Sequence, residues 1–327
     1  MVTIVSLMDA FNPVEPGAGL VGADLRNKNL WGYDLSGADL TRADLRQAIL
    51  RDTRLSHVRL QSANLSGADL RGADLREANI DAADLRGAWY DLSTCFPSGF
   101  DPHAAGILAL VPAADLSEAD LRQVDLSGVE LTGANLSGAC LAESRGLGSW
   151  LVNTNLTRAD LSQANFSYAR LDGARLDQAE LWATDLSYAN LSKATLFDTN
   201  LESCILHQTQ LSRAVCDAKT LWPLSFDWQA AGVLLLGPNA SLWGADLSGL
   251  CLMGVDLSHA NLVGVNLQGT DLWGANLSGA DLRDANLAGA NLTAVTLTSA
   301  DLTGVNLSGA TLPVDSLNAL ADAGVVF

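Results

Sequence analysis

Leucine recurs at every fifth position along most of the chain, with small and polar residues at fixed positions around it. The repeat centres fall in three registers, 20–90, 116–216 and 242–312, and 46 of their 51 sites are Leu. Two residues before the centre the side chain is small at 48 sites, and the residue between is Asp at 17 and Asn at 14. A period of five matches neither the 3.6 residues of a helix nor the 2.0 of a strand.

Each five-residue unit predicts a short extended segment followed by a corner. The small residue and the Leu are two apart, so in extended chain they share a face, while the Asp or Asn between them points to solvent. The other two positions are rich in Gly, Ser and Arg, which favours a turn. One unit cannot bury its Leu, but stacked coils of such units can.

The repeat A-[DN]-L-x-x resembles the pentapeptide repeat protein family, for example at Ala38-Asp39-Leu40, Ala68-Asp69-Leu70 and Ala275-Asn276-Leu277. The resemblance implies an all-β solenoid, a right-handed quadrilateral β-helix with four units per coil. Tyr168 and Tyr188 would then stack. Representative core residues of this solenoid are Leu40, Leu70, Leu126, Phe166, Leu186, Leu272 and Leu302.

The register shifts divide the chain, and we predict one continuous domain. It would contain an N-terminal cap (1–17), three β-helix blocks (18–90, 116–216 and 242–313), two inserts (91–115 and 217–241) and a C-terminal cap helix (314–327). Within the last segment Leu317, Leu320 and Phe327 are apolar and are candidate interaction residues. This helix would cover the end of the solenoid, and in some family members such an element also forms a homodimer interface.

The two inserts align with each other without a gap. Asp101 and Asp227 are expected to cap one helical turn each, with Gly106 and Gly232 at its end. Their shared pattern, [FW]-P-x-x-F-D-x-x-A-A-G, resembles an element of cyanobacterial family members. The inserts are matched docking elements, two copies of an inherited bulge, or patches that cover the wall of the solenoid. A milder irregularity at 145–148 is interpreted as a local loop.

Composition excludes several classes of protein. No run of about 18 apolar residues occurs, so we expect no membrane-spanning helix. A net charge of -18 and a pI near 4.3 argue against direct binding to nucleic acid. The five cysteines include no C-x-x-C pair and fit free thiols in a reducing compartment, so a cytoplasmic location is expected.

The sequence contains no recognisable group of catalytic residues. The four histidines are scattered among repeats and one insert, and no spacing of His and Cys resembles a metal site. The P-loop pattern G-x-x-x-x-G-K-[ST] and the nucleophile-elbow pattern G-x-S-x-G are missing. We therefore expect no enzyme, no cofactor and no metal.

The remaining hypothesis is a scaffold or protein-protein interaction module with an unknown partner. Candidate contact residues are the apolar side chains at turn positions of the last block, Trp243 and Val263 on one face, Met253 and Trp273 on the opposite face. The alternative is an acidic DNA mimic that binds DNA gyrase, as some members of the family do. The repeated site itself supplies 17 Asp and 2 Glu, so much of the acidity follows from the repeat.

Overall fold

The computed structural model describes residues 15–312, which belong to two compact units divided after Leu116. In each unit, one residue of every pentapeptide pairs in parallel with the residue 20 positions later. One such column in the first unit runs through Asp24, Asp44, Asn64 and Asp84. A coil therefore has 20 residues and four sides, as the family resemblance implied. Whether the whole chain is one continuous domain stays a prediction.

Each corner of a coil is a tight turn. In the first coil the carbonyl of Leu20 accepts a hydrogen bond from the N–H of Ala23 at 3.1 Å. The third residue of this turn, Gly22, has a φ of 65°, as a type II turn requires. Non-glycine residues such as Asn27 and Arg42 adopt the same left-handed conformation at equivalent corners.

The position before each Leu accepts Asp and Asn for one shared reason. Its side-chain Oδ1 accepts the backbone N–H two residues later, as Asp34 does from Ser36 and Asn64 does from Ser66, both at 3.0 Å. A carboxylate and an amide both carry this oxygen. The residue before Leu thus braces the corner, which explains why the two types alternate at this position.

The interior contains the leucines and the small residues. The core leucines chosen from the sequence are buried, with Leu302 the most accessible of them, and Phe166 is the largest fully buried side chain. In the first unit this core continues into the insert, where Phe96 and Phe100 pack against it.

The segment at 145–148 is not a loop, so that prediction was wrong. Gly146 keeps the register and donates its N–H to the carbonyl of Asn165 at 2.7 Å. A Cβ at Gly146 would lie 2.2 Å from the ring of Phe166 in the next coil. The Phe166 ring therefore fills the space that a Leu side chain at position 146 would occupy.

The two inserts have the same backbone arrangement, each within its own unit. In the first, Asp74 pairs with Cys95, one residue beyond the 20-residue spacing, and strand β1 (Trp89–Tyr90) pairs with β2 (Leu108–Ala109), one residue short of it. In the second, Asn200 pairs with Leu221, and β3 (Val215–Cys216) pairs with β4 (Leu234–Leu235). The four strands of the described chain are these two parallel pairs.

Each insert contains a single helical turn with the predicted ends. Asp101 Oδ1 accepts the N–H of His103 at 3.0 Å, and Asp227 Oδ1 accepts that of Ala230 at 2.9 Å. Gly106 has a φ of 71°, and the N–H of Ile107 reaches the carbonyl of Pro102, which closes a Schellman motif. One turn is too short to count as an α-helix, and none occurs in residues 15–312.

The predicted C-terminal cap helix, 314–327, lies outside the described residues, and so do Leu317, Leu320 and Phe327.

In the second unit, Val215 occupies a position that faces outward in the repeat, yet it is fully buried. It belongs to the same apolar cluster as Leu236 and the leucines from Leu242 onward. Arg213 bridges the same two regions by pairing with Asp246 at 2.7 Å. The coils after the second insert therefore cover the outer side of Val215.

Candidate interaction surfaces

The four residues proposed as contacts in the last block lie on two opposite sides of their coils. Trp243 and Val263 are one coil apart in sequence and occupy one side, while Met253 and Trp273 occupy the side half a coil away. Trp243 is 73% exposed, Met253 and Trp273 are exposed, and Val263 is half-buried. The structure thus does not bring these residues together into one surface.

A more continuous apolar surface lies in the middle block. We name it the aromatic strip, and it consists of five side chains on one corner and the adjoining side of the coils: Leu147, Trp150, Tyr168, Tyr188 and His207. Tyr168 and Tyr188 stack with ring centroids 4.7 Å apart and planes at 6°, which confirms the predicted stacking. Tyr168 is nevertheless 57% exposed.

The ends of the aromatic strip are also held in place. The rings of His207 and Tyr188 pack perpendicular to each other with centroids 5.2 Å apart, and the guanidinium of Arg170 lies 4.5 Å from the centre of the Trp150 ring. Cation–π contact of this kind contributes about 0.5–1 kcal/mol at exposed sites. These side chains are therefore ordered before any partner arrives.

Sequence reasoning identified the tyrosine pair and missed the rest of the strip. The available signal was Trp150, which occupies a position that Asp or Asn usually fills. That departure gains meaning only with a 20-residue coil, because Trp150, Arg170 and the tyrosines become neighbours through stacking.

A groove of about 510 Å³ lies where Met253–Asp256 approach the outer side of the middle block. Its wall includes an Arg175–Asp177 pair with 3.6 Å between Nε and Oδ2. Burial raises the pKa of the Asp177 carboxyl, which the N–H of Phe197 and the nearby Arg175 partly oppose. Lys219 adds a second cation and Asp256 a further carboxylate, so charges of both signs line the groove.

Reactive side chains do not converge among the described residues. Across residues 15–312, no three His, Cys, Asp or Glu side chains are placed to hold a metal ion. The five cysteines have free thiols, and burial raises the pKa of Cys204 and Cys216 to about 12. Neither thiol is therefore an activated nucleophile near neutral pH. No helix in the same described range is long and apolar enough to cross a bilayer.

A family model for pentapeptide repeats matches residues 17–52, 53–88, 113–145, 148–178, 179–215, 239–274 and 275–312. The matched ranges cover well over half of the chain and leave out most of both inserts, residues 89–112 and 216–238. The chain belongs to the pentapeptide repeat family. Membership implies that the stacked coils form a right-handed β-helix.

Solved structures of other pentapeptide repeat proteins resemble this chain. HetL of Nostoc sp. strain PCC 7120, a protein involved in heterocyst differentiation regulation, is 28% identical over 95% of this chain and 96% of its own, with a TM-score of 0.22. The protein alr5209 of Nostoc PCC 7120 is 40% identical over 33% and 94%, with a TM-score of 0.20. Full-length QnrB1, a plasmid-mediated fluoroquinolone resistance protein, is 19% identical over 92% and 98%, with a TM-score of 0.18. No curated protein sequence matches the chain significantly.

Proposed function

We propose that this pentapeptide repeat protein is a non-enzymatic scaffold that binds another protein through the outer sides of its coils. The aromatic strip carries the proposal. The residues that contribute most to binding at protein interfaces are enriched in Trp, Tyr and Arg. In the strip, Trp150, Tyr168 and Tyr188 are exposed on backbone held by parallel hydrogen-bonded ladders. Little conformational entropy is lost when such a preordered surface binds.

The interior supports a binding role over a catalytic one. Leucine and alanine fill the coils from wall to wall, whereas catalytic sites are usually clefts with a few converging polar groups. Pentapeptide repeat proteins are generally structural or interaction modules.

DNA mimicry is the alternative, and the structure gives it little support. Many carboxylates that contribute to the charge of -18 accept the backbone N–H of their own corner, which is a structural task. In the first unit, arginines such as Arg26, Arg46 and Arg86 neutralise neighbouring carboxylates. A DNA gyrase supercoiling assay separates the two hypotheses, because a mimic alters supercoiling at micromolar concentration and a scaffold does not.

The scaffold role is tested by removing the aromatic strip. The variant Trp150→Ser, Tyr168→Ser, Tyr188→Ser should lose partners that co-purify with the wild-type protein from its native cell, with thermal stability lowered only slightly. The matched control is Trp182→Ser, because Trp182 is equally exposed but lies on another corner. Equal recovery of every partner by the wild type and the triple variant would refute the assignment of binding to the strip.

A further inference from the structure

The two inserts share one backbone but present different surfaces. They align position by position, and four matched positions change from small or polar to large and apolar. Cys95, Ser98, Pro102 and Ala109 in the first insert correspond to Leu221, Leu224, Trp228 and Leu235 in the second. Since the first insert forms the same strands, helical turn and glycine end without these apolar groups, the fold does not require them.

Three of the four apolar groups of the second insert are exposed, and the fourth, Trp228, is half-buried. Leu224 is fully exposed, and Leu221 and Leu235 are each 44% exposed. Trp222 stacks with Phe226 at 5.6 Å and with Trp228 at 6.3 Å. In the first insert, the aromatic residues Tyr90, Phe96 and Phe100 also pack on each other, and they pack against the core cluster as well.

The surroundings of this surface are acidic. Glu202 is exposed and belongs to the coil that pairs with Leu221 through Asn200. Asp227 is exposed at the start of the helical turn, and Asp198 lies beside the base of the insert, where its N–H binds Asp217. Lys219 is a nearby cation and lies 3.9 Å from Asp198. These exposed groups give the rim an excess of negative charge.

We propose that the second insert binds a cationic amphipathic segment of another protein. Leucines and Trp228 would receive the apolar face of the segment, and its Lys or Arg side chains would pair with Glu202 and Asp227. A second copy of this chain is a poorer occupant, because each copy carries a net charge of -18 and an acidic rim. The inference rests on the proposed role as an interaction module but places binding on a surface separate from the aromatic strip.

The experiment uses the full chain and two labelled synthetic helices of 18 residues with the same leucine face. One has Lys on its polar face and the other has Glu, and fluorescence anisotropy measures the affinity of each. We expect the Lys helix to bind at least about tenfold more tightly than the Glu helix. Leu224→Ser with Trp228→Pro, which installs the first insert's residues, should weaken binding of the Lys helix by about tenfold or more.

These substitutions leave every charge in place, so general attraction of a cation to an acidic protein would survive them. Pro is compatible with position 228 because Pro102 occupies the matched position in the same turn. Leu92→Ser, at an exposed site of the first insert, should leave the affinity unchanged.

Unchanged binding by the insert variant, or equal binding of both helices, would overturn the proposal. So would sedimentation of the wild type as a dimer that Leu224→Ser dissociates, because a second copy would then be the occupant. The aromatic-strip variant separates this proposal from the proposed function. It should still bind the Lys helix, whatever happens to partners held by the strip.

Discussion

The coils of residues 19–90, in the first unit, and those of 241–312, in the second, share an interior and differ outside. Leucines and small residues fill both cores. The first region carries ten Lys and Arg residues, whereas the second carries Arg283 alone. Before the leucine, the first has seven Asp and three Asn, and the second has five Asp and six Asn. Parallel stacking brings this position of one coil beside the same position of the next, so successive carboxylates would repel each other.

The first region meets this repulsion with arginine. Asp24 and Asp44 pair in successive coils, and Arg26 lies between them, 2.7 Å from Asp24 and 3.6 Å from Asp44. Arg46 also pairs with Asp44, at 2.6 Å. Charge is balanced within the stack.

The last region meets it with amides. Asn266 donates to Asp246, Asn286 to Asn266, and Asn306 to Asn286, each at 3.1 Å. Where two Asp residues do follow each other there, at Asp281 and Asp301, Arg283 lies between them with the geometry of Arg26. Arginine pairing in the first region and asparagine hydrogen bonds in the last region therefore both limit repulsion between stacked carboxylates. Which of the two a region uses contributes to its net charge.

Truncation of the core should affect both regions equally, because the difference between them is external. Leu40→Ala and Leu272→Ala each remove a fully buried side chain and should cost about 2–5 kcal/mol. Equilibrium denaturation measures both, with an exposed Ser→Ala substitution as the reference. Costs that differ by more than about twofold would mean that the interiors are not equivalent.

An unpaired carboxylate in the amide ladder tests the comparison directly. Asn291 donates to Asp271 at 2.8 Å. Trp273 lies two residues after Asp271, the position that Arg283 occupies relative to Asp281. Asn291→Asp should therefore cost about 1–2 kcal/mol through the lost hydrogen bond and the new repulsion. Adding Trp273→Arg should recover part of that loss, since it recreates the Asp281–Arg283–Asp301 arrangement.

The rescue has its own control. Trp273→Arg alone, with Asn291 intact, should change the unfolding free energy little. If the double variant is no more stable than Asn291→Asp, arginine does not relieve stacked carboxylates, and the explanation for the basic first region fails.

The repeat, its corners and the matched inserts could be predicted from the sequence, because each depends on residues that are only a few positions apart. Asp101 and Gly106 predicted their helical turn from capping chemistry alone. The strip around Trp150 could not be found this way, since its members are brought together by the number of residues per coil, which the period of five does not contain. Gly146 misled us for a related reason, because the ring that replaces its side chain is 20 residues away.

Acid should open the arginine-paired coils before the amide ladder. The hydrogen bond from Arg26 lowers the pKa of Asp24 to about 2, and one from Arg86 does the same for Asp84. An Asp whose pKa is lowered in the folded state stabilises the fold at any pH above the ordinary pKa of Asp, about 4. That stabilisation is lost as the pH falls from about 4 towards 2. Asn266 and Asn286 do not titrate. The carboxylate in their ladder is Asp246, whose burial raises its pKa but is outweighed by hydrogen bonds from Ser248, so that the pKa is lowered.

Hydrogen exchange measures this difference. Amide protection in residues 39–50, relative to its value at pH 6, should fall at a higher pH than protection in residues 261–276. Loss of protection in both segments at the same pH would show that the ion pairs do not support the first unit.

The corners offer the smallest effect and should not distinguish the two regions. Ala82 and Ala294 have left-handed φ values of 56° and 57°, a conformation that costs an L-residue more than glycine. Ala82→Gly and Ala294→Gly should each stabilise their unit by about 0.5 kcal/mol, after the greater entropy of unfolded glycine is included. The neighbouring Ala83 is partly buried and does not have a positive φ, so Ala83→Gly should destabilise. A gain in one region alone, measured by thermal denaturation, would mean that the corners differ as the outer surfaces do.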